Sequence, residues 1–473
     1  MSQVTAAIWF RRDFRLQDNT ALFHVLSSVS KNNTKWIAFF HLDDPVVNNG
    51  SLSLHHDYFF QTLIQFKERL KNLGIQLHII TGGIEQAFAK LITRYPALSE
   101  VYVNQDLVGE GMKRDQFVKK SYSDLRFHFF EDSFITHPLQ VLKSDGNPYK
   151  VFTPYYKAWS KVKKAPPLRL DESSLSRYST NDDVVDDEGE LKLHQLKNLC
   201  SHSFDRIGEN DALERLEHFL KVQLLNYKAH RDHPALMGTS RLSPYLKVGA
   251  LSARTILYTA LERQDTEGRE TLIKELAWRD FYYMVYYFNP ESKQKEVTEQ
   301  YRSINWNQDI ELLEKWKRGE TGFPLIDAGM RQLQKEGWMH NRLRMATASF
   351  LTKDYLIDWR LGEAYFAEML IDYEPSSNIG GWQWAASVGT DPVPYFRVFN
   401  PVTQSRRFDE EGRFIRKYVS ELGHVPTRYI HEPWKMPKDV QVASTCVIGE
   451  DYPYPSVDHK SQRLRAIELF KNV

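Results

Sequence analysis

Residues 337–351 read GWMHNRLRMATASFL, and the chain continues through DWRLGEAYF (358–366), IDYEPSSNIGGWQWAASVGTD (371–391) and PYFRVFNP (394–401). The apolar and polar residues recur here at helical rather than alternating spacing. Tryptophan, arginine, asparagine and carboxylate are packed together too densely for a plain core, which prefers Leu, Ile, Val and Phe and tolerates polar atoms only when each has a partner. The stretch therefore reads as helices lining a pocket. Asn341 and Met345 stand four residues apart with Arg344 beside them, so one helical face offers an amide, a thioether and a cation. Upstream, KELAWRDFYYMVYYF (274–288) places Glu275, Trp278, Arg279 and Tyr282 at i, i+3, i+4 and i+7. That spacing suits a site-bearing helix and an ordinary buried helix equally well.

Working outward, helical patterns dominate from Phe204 onward, without convincing strands or repeats. The first part of the chain behaves differently. Apolar runs at Ala6–Phe10, Trp36–His41, Gln76–Ile80, Val101–Asn104 and Arg126–Phe130 are separated by amphipathic segments such as Asp57–Leu73, the rhythm of βαβ units. The expected architecture is an α/β doubly wound parallel sheet, Rossmann-like, over residues 1–134, and an all-helical domain over 205–473. A linker rich in Pro, Ser and charge joins them over 135–204. No GxGxxG follows the first strand, which argues against a standard dinucleotide site there.

Length and composition set limits. A chain of 473 residues exceeds what one core usually serves. With 42% hydrophobic residues and a mean hydropathy of −0.51 it reads as soluble and globular. No apolar run approaches a membrane span, and MSQVTAAIWFRRD lacks a signal-peptide core, so a cytoplasmic protein is expected. Cys200 and Cys446 are the only cysteines, which leaves no disulfide framework and no CxxC pair, and no metal is expected.

A net charge of +1 is unusual for a protein that neutralises phosphates. The run NDDVVDDEGE (181–190) holds six acidic residues, including Asp182, Asp183, Asp186 and Glu190. Setting those six aside from 61 acidic residues against 62 basic ones leaves +7. Arginines meanwhile concentrate in the C-terminal half, although for any single one an ion-paired or solvated role is the commoner.

Whole segments add a further signal. AAIWFRRDFRLQDN (6–19), KVFTPYYKAW (150–159), GTSRLSPYL (238–246) and the nearly continuous stretch from Glu275 to about Trp434 together resemble the photolyase/cryptochrome flavoprotein family, most closely the bacterial class I photolyases that repair cyclobutane pyrimidine dimers. The resemblance is weakest over 165–205. It implies that the C-terminal domain binds FAD. It further implies light-driven repair, in which photoexcited reduced FAD passes an electron to a lesion turned out of DNA and the electron returns after the ring splits. The competing reading is a cryptochrome-like blue-light receptor without repair activity. A monomer acting on dimer-containing DNA, with no membrane and no obligate protein partner, is implied.

Site residues follow by matching position. Tyr227, Thr239, Ser240, Arg241, Leu242 and Ser243 match the loop that holds the FAD pyrophosphate, although ordinary helix capping explains such hydroxyls as well. Arg344 and Asp372 match a pair against the flavin ring, and Asn378 matches the asparagine facing its N5. Glu374 and Ile379 depart from the family's usual Asp and Asn. Trp382, Trp359 and Trp306 match a chain that carries electrons from the surface to the flavin. Glu275 and Asn341 are implied to hydrogen-bond the pyrimidine edges, Met345 to contact the dimer, and Trp278 and Trp384 to wall its bases. Arg231, Arg342 and Arg397 are implied for backbone phosphates. Glu110 matches a glutamate that binds a folate antenna, methenyltetrahydrofolate, or another antenna chromophore. A solvated helix-start carboxylate is the commoner role at such a position.

Overall fold

The computed structural model describes residues 3–43, 52–180 and 183–473; Asp182 of the acidic run lies outside them. Five strands alternate with helices: β1 (Val4–Phe10), β2 (Lys35–Leu42), β3 (Leu77–Thr81), β4 (Glu100–Asn104) and β5 (Arg126–Phe130). They form one parallel sheet in the order β3-β2-β1-β4-β5, with Ala7 opposite Ile37 on one side and opposite Val101 on the other. This is the doubly wound sheet that the sequence rhythm predicts. Because successive side chains leave opposite faces of a strand, Trp9 and Phe10 enter different layers. Trp9 stacks on Phe39 (centroids 5.7 Å apart) and meets Phe88 edge-on, while Phe10 meets Phe66 edge-on at 5.0 Å. Both faces of β1 are thus buried, which explains why it reads as a continuous apolar run.

Two compact units make up the described chain. One comprises residues 1–141, 158–222 and 240–280; the other comprises 142–157, 223–239 and 281–473. The 22-residue helix Glu267–Phe288 contributes to each, the change falling after Asp280. The second unit is helical, with no named strand among its described residues.

In the first unit the motif RRDFRLQDN is a buried polar network. Beyond the carboxyl end of β1, Arg11 donates to Asp115 (2.5 Å) and to the backbone oxygen of Asn104 at the end of β4, and Asn104 donates to Asp13 (2.7 Å). Arg15 pairs with Asp132, and Arg254 bridges Asp18 (3.0 Å) and Asp132 (2.7 Å). Burial alone would raise the Asp132 carboxyl, but Arg15 and Arg254 together outweigh it and hold the group down at about 2. The charges of this motif therefore brace the sheet at its switch point.

Residues 135–204 carry more structure than their composition suggests. They contain the helices Phe152–Trp159, Glu172–Tyr178 and Asp187–Leu199. The last packs against β3 so closely that a Cβ on Gly189 would lie 2.0 Å from the Ile79 carbonyl oxygen. Part of the acidic run is tied down as well. Asp186 accepts from the Thr81 backbone (2.8 Å) and pairs with Lys90 (2.7 Å), and Glu190 pairs with Lys67 (2.6 Å). Charge density over these residues hides a helix that buries two of its four leucines, Leu193 and Leu196, and leaves Leu191 and Leu199 exposed.

Candidate functional site

The stretch that reads as a pocket lining folds into the helices Asn341–Ser349, Trp359–Met369 and Pro375–Ala385 of the second unit. The first is capped by the His340 side chain, which accepts from the Arg342 amide (3.1 Å), and so begins at Asn341. Asn341 is exposed and its amide donates to the Met345 sulfur at 3.8 Å. The helical spacing thus does bring amide and thioether onto one accessible face. Glu275 and Trp278, half-buried, lie on the helix Glu267–Phe288 in the part belonging to the first unit.

Arg344 and Asp372 form the expected pair: the guanidinium donates to Asp372 Oδ2 at 2.7 Å and to the Met339 carbonyl at 2.9 Å. Asp372 is buried, and its other oxygen, Oδ1, has no partner among the described residues. An unsatisfied carboxylate oxygen beside a cation is costly unless a ligand donor reaches it. Trp382 Nε1 and Ser376 Oγ are buried and unpartnered in the same way. The Arg344–Asp372 pair, one cation beside one free carboxylate oxygen, fits a polar heteroaromatic group such as the flavin of FAD.

Asn378, on the first turn of the helix Pro375–Ala385, donates through Nδ2 to Glu363 Oε1 at 3.1 Å. Glu363 also accepts from the Tyr373 hydroxyl at 2.9 Å. Burial, reinforced by that carboxylate, pushes the Tyr373 phenol well up, so it remains a donor. Glu374 sits at the N-cap of the same helix, where its carbonyl accepts from the Asn378 amide (2.9 Å). Ile379 is buried and lines a small cavity with Tyr282, Ser376 and Gln383.

The three tryptophans are all buried, Trp359 and Trp382 at 0% and 2% exposure and Trp306 at 6%. Trp382 lies against the helix that begins at Trp359, with Phe366 edge-on at 5.0 Å. Gly362 makes this possible, because a Cβ there would stand 2.1 Å from the Trp382 ring. Trp306 meets Phe470 edge-on at 6.1 Å. Trp384 is half-buried beside Phe399.

The loop 239–242 leads into a helix of only five residues, Ser243–Lys247. Arg241 adopts φ 52°, a left-handed conformation that costs a non-glycine residue energy and that tight ligand-binding turns retain. Leu242 is buried, and the Ser240 carbonyl accepts from Arg215 Nε at 2.7 Å. Thr239 and Ser243 are half-buried, and Tyr227 is buried beneath the Arg231 guanidinium, 5.4 Å from its ring. Arg342 is engaged by Asp232 (2.8 Å) and lies over Phe408, whereas Arg397 is exposed. Glu110 is exposed in the first turn of the helix Gly109–Ser121, paired with Lys113 at 2.8 Å.

Glu363 and Gly362 are contributors that sequence reasoning missed. Each acts through a partner distant in the chain or through the space it leaves, and no local spacing marks such residues.

The family described as FAD binding domain of DNA photolyase matches residues 272–472, and the one described as DNA photolyase matches 6–171. A protein of Alkalihalophilus pseudofirmus named deoxyribodipyrimidine photo-lyase is 56% identical over 98% of this chain and 97% of its own. Among solved structures, a bacterial class III photolyase from Agrobacterium tumefaciens has a TM-score of 0.90 and 30% identity, covering 100% of this chain and 98% of that one. A cryptochrome of Synechocystis sp. PCC6803 has a TM-score of 0.87 and 26% identity, covering 99% and 100%. With its sheet, its helical flavin-type site and these full-length relatives, the chain belongs to the photolyase/cryptochrome family.

Proposed function

We propose that this protein is a light-driven DNA repair enzyme that splits cyclobutane pyrimidine dimers. The observation that carries the reading is the face made by exposed Asn341 and half-buried Met345 on the helix that also supplies Arg344 to buried Asp372. An amide reads a pyrimidine edge by hydrogen bonding, and a thioether packs against an apolar adduct. FAD, when bound, supplies a light-excitable one-electron donor. The chain's own residues orient and shield it. Arg344 compensates the Asp372 charge, leaving Oδ1 to accept from a ring donor. Glu363 holds the Asn378 amide by its nitrogen, so that the amide oxygen remains for the ring.

The remaining assignments rest on the family resemblance. Residues 239–243 and Tyr227 are read as holding the pyrophosphate, and Glu275, Trp278 and Trp384 as receiving the extruded bases. Arg231, Arg342 and Arg397 are read as meeting DNA phosphates. For Arg342 this requires Asp232 to release it or to share it. The folate reading of Glu110 rests on the resemblance alone, and its pairing with Lys113 suits the helix-start role. We read residues 1–134 as the antenna-bearing part, 135–204 as the connection and 205–473 as the FAD- and lesion-binding part. A monomeric, cytoplasmic protein suits this activity; among the described residues no helix is long and apolar enough to cross a membrane.

Binding of a dimer-containing oligonucleotide by Asn341→Ala tests the lesion face. A loss of about ten-fold, as for one removed hydrogen bond of 1.4 kcal/mol, is expected, with binding of undamaged DNA unchanged. Equal loss on both would defeat the assignment.

A further inference from the structure

Trp359 and Trp382 differ in one respect. Trp382 Nε1 is buried without a partner among the described residues, whereas Trp359 Nε1 donates to Glu296 Oε1 at 3.1 Å. Glu296 is 2% exposed, and Arg360 donates to its other oxygen at 2.6 Å. The Arg360 guanidinium also lies 4.9 Å from the centroid of the Trp359 ring. The middle tryptophan therefore sits between a buried anion on its N–H and a cation near its ring. The loop that carries Glu296 is pinned to the helix of Trp382, since Gln383 Oε1 accepts from the Val297 amide (2.9 Å) and Gln383 Nε2 donates to the Ser292 and Lys295 carbonyls (2.7 and 3.0 Å).

We propose that Glu296 is a positioning residue that makes Trp359 the favoured resting place for an electron hole drawn from Trp382. This deepens, and rests on, the reading of Trp382, Trp359 and Trp306 as an electron-transfer chain. Trp382 would give one electron to a bound, light-excited oxidised flavin, which would be reduced by that one electron. Trp359 then gives one electron to Trp382, which is restored, and Trp359 is left with one positive charge. No bond is made or broken, and the indole proton stays in the hydrogen bond to Glu296 until Trp306 supplies the refilling electron. The new cation strengthens that hydrogen bond, because a cationic donor is held by an anionic acceptor in a low-dielectric interior more strongly than a neutral donor is. The same anion offsets the repulsion from Arg360. Trp382 has no such acceptor, so the hole moves one way.

The test is transient absorption of oxidised tryptophan, together with the yield of flavin photoreduction, in the FAD-loaded protein. Glu296→Gln keeps the acceptor oxygen and the shape while removing the charge. The expected result is a fall in yield of about ten-fold, the loss of one charge-assisted hydrogen bond, and a shortened Trp359 signal. FAD content and repair by chemically pre-reduced protein should stay unchanged. Removing both charges, in Glu296→Gln with Arg360→Gln, should recover most of the yield, which a merely structural role would not produce. If Glu296→Gln does not fold, Glu296→Asp serves: it keeps the charge but withdraws it by one methylene, and a yield equal to wild type would overturn the proposal. Wild-type yield in Glu296→Gln, with photoreduction abolished in Trp382→Phe, would overturn the role of Glu296 alone. Undiminished photoreduction in Trp382→Phe would overturn the chain itself.

Discussion

Asn378 Nδ2 lies 3.1 Å from Glu363 Oε1 and 3.4 Å from the Glu363 carbonyl, so the nitrogen is the end of the amide that Glu363 commits. The same carboxylate takes the Tyr373 hydroxyl. Glu363→Leu would take this carboxylate from the half-buried Asn378 amide and Tyr373 hydroxyl, at a cost of about 1 kcal/mol for each hydrogen bond. A lowered urea midpoint together with reduced FAD retention is expected. Glu363→Gln should recover most of the stability. Retention and midpoint unchanged in Glu363→Leu would show that this carboxylate orients nothing.

Arg344 compensates a carboxylate whose side chain is 1% exposed. Arg344→Leu leaves that charge buried and alone, with an expected loss of roughly 3–5 kcal/mol. The double change Arg344→Leu with Asp372→Leu should restore much of the stability but not FAD content. Denaturant unfolding and the flavin released on heating separate these two outcomes.

Gly362→Ala places a methyl group 2.1 Å from the Trp382 ring. Overpacking of this kind costs about 1–3 kcal/mol. Because the ring must move, photoreduction should slow along with the fall in thermal midpoint. A variant that is destabilised yet photoreduces at the wild-type rate would separate the packing from the electron path.

The Asp132 carboxyl, held down at about 2 by Arg15 and Arg254 against burial, gives the first unit an acid limit. A carboxyl with a depressed folded-state pKa contributes stability above its ordinary value near 3.8, and that contribution is lost as pH falls toward 2. It amounts to roughly 2 kcal/mol. Urea midpoints of wild type and Asp132→Asn should differ most at neutral pH and converge as pH falls from about 4 to about 2. Parallel curves across that range would show that the ion pairs carry no linkage.

Much of this was legible in the chain. All five strands lie within a few residues of where the apolar runs put them, the inner ones because strands buried on both faces leave continuous apolar runs and the half-exposed β5 by its alternating Phe residues. The Asn341–Met345 and Arg344–Asp372 juxtapositions were legible too, the first from helical spacing and the second from family resemblance. What stayed hidden depends on contacts across long sequence separations. The helix Asp187–Leu199 is masked by its own charges, because the ion pairs that tie down Asp186 and Glu190 come from Lys90 and Lys67. Glu296 and Glu363 look like ordinary surface carboxylates until the fold brings Trp359 and Asn378 to them.

The central claim is most directly tested with FAD-loaded, chemically reduced protein and an oligonucleotide carrying one thymine dimer, incubated in parallel under blue light and in darkness. Dimer restored to thymines in the illuminated sample alone, over many turnovers and without net oxidation of the protein, is the predicted result. Tight binding of the lesion with the dimer intact after illumination would contradict it, and would turn the same fold toward light sensing.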